Sequence, residues 1–200
     1  MIHNPFEMLP EAVEIGGRPV RIDPDFRVGV AIETEMLSAC PDVPGLLSAF
    51  YPDGVPEDIG TAADRMIWFY AHTDSEDAPK AGGAGKARRL YDFRQDADAL
   101  LASFWQAYSI DLDRVRMHWW KFRRLMFGLP ADTPFMQRVH YRTADLSKLG
   151  REEKKRYRKL QDMYAVKAAH GPKYQTVEDR DEAMKERVRR RVLEAQHAEN

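Results

Sequence analysis

Residues 111 to 130 read Asp111-Leu-Asp-Arg-Val115-Arg-Met-His-Trp-Trp120-Lys-Phe-Arg-Arg-Leu125-Met-Phe-Gly-Leu-Pro130. Val115, His118, Trp119, Phe122, Leu125, Met126 and Leu129 recur at the intervals of one helix face, while Arg116, Arg123 and Arg124 fall largely off it. Asp111 or Asp113 is placed to cap this helix, and Gly128 with Pro130 to close it. A stripe this broad must pack on other helices, so the stretch predicts a mainly α protein.

Upstream, Asp92 with Gln95 three residues on has the form of a capping box. Phe93, Ala97, Leu100, Leu101, Phe104 and Tyr108 then follow at helical spacing to about Ser109. Downstream, Asp132-Thr133-Pro134 opens a short helix with Phe135 and Val139 inward. A charged helix begins near Arg151, with Tyr157, Leu160 and Tyr164 on one face, and Gly171-Pro172 breaks the chain beyond it. Residues 90–168 are therefore expected to form a helical domain. Residues 169–200 read as a charged tail or helix, whose Met184, Val188 and Val192 make a stripe too narrow for a lone helix.

At the other end, Ala12-Val13-Glu14-Ile15 and Arg18-Pro19-Val20-Arg21-Ile22 flank Gly16-Gly17, the pattern of a two-residue β-hairpin with Pro19 on an edge. Asp23 with Pro24 predicts a helix start, and apolar positions from Phe26 to Leu37 carry that helix to about Ala39, where Pro41 and Pro44 end it. Leu46, Leu47 and Phe50 suggest a short helix, and Pro56 begins another through Ile59, Ala63, Met66, Ile67 and Tyr70. Residues 1–72 thus form an α-rich lobe with a hairpin. Residues 73–89 hold Gly82, Gly83 and Gly85 and almost nothing to bury, the composition of a flexible linker.

The full chain of 200 residues can support a core without a metal or disulfide staple, and its single Cys40 excludes an internal disulfide and a cysteine-based zinc site. No run approaches the ~20 apolar residues that span a bilayer, and the opening residues lack a signal-peptide layout. Mean hydropathy is −0.59 and net charge −1, but the charge is unevenly placed. Residues 1–71 carry 4 Lys and Arg against 12 Asp and Glu, whereas residues 86–200 carry 26 against 17. Charge complementarity within the chain or with a protein partner explains this better than nucleic acid.

Catalytic signals are missing. Lys80-Ala-Gly-Gly-Ala-Gly-Lys86 lacks the first glycine and the final Ser or Thr of a phosphate loop. His3, His72, His118, His140, His170 and His197 are scattered without metal-ligand spacing, and Asp92, Asp96 and Asp98 suit the first turns of a helix. No nucleophile elbow is present, and Cys40 before Pro41 reads as a packed residue. The expectation is no enzyme, no cofactor, and no catalytic or metal site.

What stands out is the aromatic and basic stretch around Trp119 and Trp120. Trp119 and Phe122 fall on the apolar stripe, and Trp120 and Phe127 beside it, either widening a buried face or offering one to a partner. The candidate partner-binding residues are Trp119, Trp120, Arg123 and Phe127, with Met184, Val188 and Val192 of the tail from Glu178 extending the surface. The alternative is a nucleic-acid-binding protein with Arg116, Lys121, Arg123 and Arg124 on phosphates.

Several segments together carry a resemblance: Tyr91-Asp-Phe93, Asp96-Ala-Asp98, Ala102-Ser-Phe104, Tyr108-Ser-Ile110-Asp-Leu112, His118-Trp-Trp-Lys-Phe122, Leu125, Gly128-Leu129, Phe135, Tyr141-Arg142 and Lys154-Lys-Arg-Tyr157-Arg-Lys-Leu160. Over about residues 5–165 the chain resembles the bacteriophage gene product fifteen (Gp15) family of tailed phages and prophages. Its most specific part is the Tyr108–Leu112 run followed by His118–Phe122, and the tail beyond Ala168 is unmatched. The resemblance implies a tail-module protein in the place where other long-tailed phages carry tail assembly chaperones. It further implies a non-catalytic role in the cytoplasm of the bacterial host, binding the tape-measure protein and, as a second partner, the tail-tube subunit. A structural component retained in the virion is the other reading within this class, and homo-oligomerisation stays open.

Overall fold

The computed structural model describes residues 9–38, 41–71 and 90–167, together with Glu186 and Arg190. It is mainly α, with one two-stranded antiparallel sheet near the start. Strands β1 (Ala12–Ile15) and β2 (Arg18–Arg21) pair Ala12 with Arg21 and Ile15 with Arg18. Gly16 and Gly17 turn between them at φ of 58° and 73°, the left-handed pair that a tight hairpin requires. Val13 and Ile15 bury their side chains on one face, as strand alternation demands.

Chain contacts divide the molecule into two units. Among the described residues the first holds the hairpin, α1 (Phe26–Met36), α2 (Val43–Phe50), α3 (Ile59–Ala71) and the segment Met117–Phe122. The second holds α4 (Phe93–Tyr108), α6 (Pro134–Thr143), α7 (Arg151–Tyr164) and the later part of α5 (Trp119–Phe127). Where a contiguous helical stretch over 90–168 was expected, residues 117–122 pack in the first unit. The 73–89 linker, and the 169–200 tail apart from Glu186 and Arg190, lie outside the described residues.

The reason residues 117–122 belong to the first unit is backbone pairing. Phe26 N–H donates to Met117 O and Trp119 N–H to Pro24 O, each at 2.8 Å, around an isolated bridge between Asp25 and His118. This pairing moves two expected helix starts. Residues 23–25 stay outside the helix, so α1 is capped by Asp25, whose carboxylate accepts Arg27 N–H at 3.0 Å, and not by Asp23 with Pro24. The helix expected from Asp111 or Asp113 likewise begins only at Trp119, because the backbone at 117–119 is already committed to strand-like bonds. Two further starts differ. Pro44 does not end α1 but sits in the first turn of α2, behind the Asp42 cap. α3 opens at Ile59, where the Asp58 carboxylate accepts from the N–H and hydroxyl of Thr61, and not at Pro56.

The two tryptophans then close the far end of α3. A helix leaves its last four carbonyls without intrahelical donors. Trp119 Nε1–H reaches Tyr70 O at 3.1 Å and Trp120 Nε1–H reaches Phe69 O at 2.8 Å, so two of these orphans are satisfied by indoles. Each indole also stacks on the residue whose carbonyl it caps, at 5.8 Å on Tyr70 and 5.6 Å on Phe69. Gly29 of α1 lies against the Trp119 ring, leaving no room for a Cβ.

In the second unit Asp96 is the organising charge. It is fully buried, and Arg142 of α6 is 2% exposed and grips both its oxygens at 2.7 and 2.9 Å. Arg142 also donates to Tyr164 O at the end of α7 and to Leu90 O before α4, while Arg138 donates to Asp96 at 3.3 Å. Burial alone would push the Asp96 carboxyl up, but the Arg142 and Asp92 hydrogen bonds, the Arg142 charge and Arg138 outweigh it and hold the group below the ordinary carboxylate range. The same carboxylate accepts Asp92 N–H at 3.0 Å, the return half of the capping box. Gln95, expected in that role, instead bonds Ala165 O and Lys167 N–H beyond α7. Tyr141 stacks on Tyr164 and meets Tyr157 edge-on, which fixes the face of α7 that the tyrosine spacing predicted.

Candidate interaction site

The second unit carries an apolar groove at the C-terminal end of α4. Ser109 ends the helix with φ of 54°, the left-handed position that glycine usually fills. Its N–H bonds Trp105 O at 3.0 Å and Ile110 N–H bonds Phe104 O at 3.3 Å, a tight C-terminal turn that folds the chain back along α4. Asp111 then shapes the next turn, its carboxylate accepting Asp113 N–H at 3.0 Å and pairing with Arg114 at 3.5 Å. Between helix and returning chain lies a shallow groove of about 290 Å³. It is lined by Leu101, Ala102 and Trp105 of α4 and by Ile110, Asp111, Leu112 and Asp113 of the returning chain.

Trp105 gives this groove its character. The residue is 62% exposed, although a buried tryptophan contributes more apolar surface than almost any other side chain. Leu112, by contrast, is buried and holds the returning chain in place. An exposed indole above a groove, shaped by a non-glycine residue in left-handed geometry, suits capture of an apolar side chain from a partner. Among the described residues no group of three or more His, Cys, Asp or Glu side chains is arranged to hold a metal ion.

The residues expected to bind a partner are distributed differently. Trp119 and Trp120 are core residues of the first unit, 0% and 5% exposed, and so present no ring face to a partner; their indole N–H groups are spent on the end of α3. Phe127 is 53% exposed in the second unit, with the Arg123 guanidinium 6.0 Å from its ring and Tyr91 edge-on at 6.4 Å. Arg123 and Phe127 are thus brought together, as one turn of helix dictates. Met184, Val188 and Val192 lie outside the described residues. Trp105 is exposed in the structure but does not stand out in the sequence reading. Its signal was present, since a tryptophan between Phe104 and Tyr108 falls off the apolar stripe of α4.

Two other perturbed groups are structural. His118 accepts Trp120 N–H through Nδ1 at 3.1 Å and donates from Nε2 to Pro10 O at 3.1 Å, so the neutral ring satisfies both partners. Burial lowers its pKa, opposed by the Pro10 contact and the Glu11 charge. Burial likewise pushes the Tyr51 hydroxyl well up, against the Arg65 charge, while that hydroxyl donates to Ala62 O at 2.8 Å.

A mainly α chain with an exposed aromatic groove is thereby defined, and comparison with known families places it among phage proteins. The family model described as Bacteriophage Gp15 protein matches residues 6–166, and the chain belongs to that family. Membership suggests a phage structural or assembly protein. No curated protein and no solved structure matches the chain. Among the described residues no helix is long and apolar enough to cross a membrane.

Proposed function

We propose that the protein is a non-catalytic tail assembly chaperone, which holds an apolar helix face of the tape-measure protein in the host cytoplasm and departs before the tail is complete. The observation that carries this reading is the exposed Trp105 above the α4 groove. Amphipathic helices dock by placing side chains at i, i+3, i+4 and i+7 into such grooves, and an exposed tryptophan is a frequent anchor. A tape-measure protein is a long helical partner that must be kept from premature association. The tail-tube subunit is the second candidate for the same surface.

The test is affinity purification of the tagged chain coexpressed with the neighbouring tail genes, with mass spectrometry of what stays bound at moderate salt. The tape-measure protein should be recovered, Trp105→Ala should lose it while keeping native helical content, and purified virions should lack the chain. Equal recovery by Trp105→Ala would remove the groove from the reading. Nucleic acid in place of protein would favour the basic-half alternative, and presence in finished particles would favour a structural component.

A further inference from the structure

The outward side of α7 carries an ordered row of charge. Arg151, Lys155, Lys159 and Met163 follow one another at four-residue intervals, and all four are exposed. At 1.5 Å per residue the groups succeed one another about every 6 Å along the helix. Arg156 and Arg158 flank this row and are also exposed. None of these five cations makes an ion pair or a side-chain hydrogen bond with another described residue. Their freedom contrasts with Arg138 and Arg142 in the same unit, which are spent on Asp96. Glu152 and Asp162 share this side of the helix, so the five cations outnumber the acids among them by three, and among the described residues neither acid makes an ion pair.

Fixing five cations on one short helix raises the local potential, so a solvated face of this kind is retained at some cost in self-repulsion. We infer that the Arg151–Lys155–Lys159–Met163 row of α7 is a docking surface for an acidic amphipathic helix of a protein partner. Charge and spacing both argue for that occupant. Carboxylates at i, i+4 and i+8 of a helix repeat at the same 6 Å interval as the cations, so two such helices lie in register. Met163, 68% exposed at the end of the row, adds an apolar contact that a helical peptide uses and a phosphate backbone does not. The face also lacks what a nucleic acid strand needs for stacking, because Tyr157 and Tyr164 turn inward onto Tyr141.

This surface is separate from the Trp105 groove, and its test is independent of the tape-measure reading. The probe is a fluorescent helical peptide of about 20 residues with Glu at every fourth position and Leu beside it, titrated with the full chain by anisotropy. A single-stranded oligonucleotide of about the same length is titrated in parallel between about 50 and 200 mM salt. The peptide should bind and the double variant Lys155→Glu/Lys159→Glu should weaken it at least about tenfold. Met163→Ala should weaken the peptide and leave any oligonucleotide signal unchanged. Trp105→Ala should bind the peptide as the wild type does, which separates this result from the fate of the groove. Because all the altered side chains are exposed, unchanged unfolding midpoints establish that the variants remain folded. No peptide binding, or peptide binding indifferent to charge reversal, overturns the inference. Tighter binding of the oligonucleotide that is abolished by Lys155→Glu/Lys159→Glu overturns it in favour of nucleic acid.

Discussion

Gly29 and Trp119 meet with no space between them: a Cβ on Gly29 would lie 2.8 Å from Cε2 of the indole and nearer still to Cδ2 and Cε3. The ring cannot retreat, because its Nε1–H is bonded to Tyr70 O and its faces are covered by Tyr70 and Phe122. Overpacking of a closed core costs about 1–3 kcal/mol. Gly29→Ala should therefore lose stability toward the upper end of that range, read as a lower denaturant midpoint with altered near-ultraviolet dichroism from the displaced tryptophan.

Asp96→Ala should be among the most damaging single changes in the second unit. It strands the buried Arg142 guanidinium, and breaking one side of a buried pair costs about 3–5 kcal/mol. Replacing both partners, as Asp96→Leu with Arg142→Met, should recover much of that loss in equilibrium unfolding, because the penalty arises from the unpaired charge. Recovery no better than the Asp96→Ala single variant would mean that the arginine's bonds to Tyr164 O and Leu90 O matter more than its charge.

Acid should weaken the two units in different pH windows. His118 has a lowered pKa in the folded state, so above the ordinary histidine value near 6.5 it is neutral whether folded or not and contributes no pH dependence. As pH falls through that value the unfolded chain takes the proton more readily, and stability drops until the folded ring also protonates. Asp96 behaves in the usual carboxylate direction: its contribution is complete above the unfolded aspartate value and is lost as pH falls toward its lowered folded value. His118→Gln should flatten the unfolding profile as pH falls through about 6.5, while leaving in place the loss at lower pH where carboxylates take up protons.

Ser109→Gly should stabilise the protein. A left-handed non-glycine residue costs about 1–2 kcal/mol, and the added flexibility of glycine offsets about 0.5–1 of that relief, leaving a gain of up to about 1.5 kcal/mol. The gain appears in thermal or denaturant midpoints. If the serine geometry serves the groove, partner capture by Ser109→Gly should fall even as stability rises.

Much of the fold is legible in local sequence. The glycine pair, the Asp92 cap, the Thr133-Pro134 start and the tyrosine face of α7 each rest on chemistry within a few residues, and each is where its signal put it. What misled was periodicity continuing past the true helix start. Val115 and His118 fit the α5 stripe in sequence, yet the helix begins only at Trp119, because residues 117–119 pair with the distant residues 24–26. Asp96 reads as an ordinary first-turn acid until α6 brings Arg142 to it, 46 residues away. Burial of the Trp119–Trp120 pair was not legible as such, because it depends on carbonyls of α3 about fifty residues away that the two indoles satisfy.

The indoles that finish α3 are encoded some fifty residues after the helix they cap. On the ribosome, hairpin, α1, α2 and α3 therefore emerge well before the side chains that fill their centre, and the first unit must wait with exposed apolar surface until residue 122 has left the exit tunnel. By then all of α4 has been made, while Arg142, which its buried Asp96 needs, is still to come. A product terminated between Ala71 and Trp119 contains the hairpin, α1, α2 and α3 and still lacks the indoles that close them.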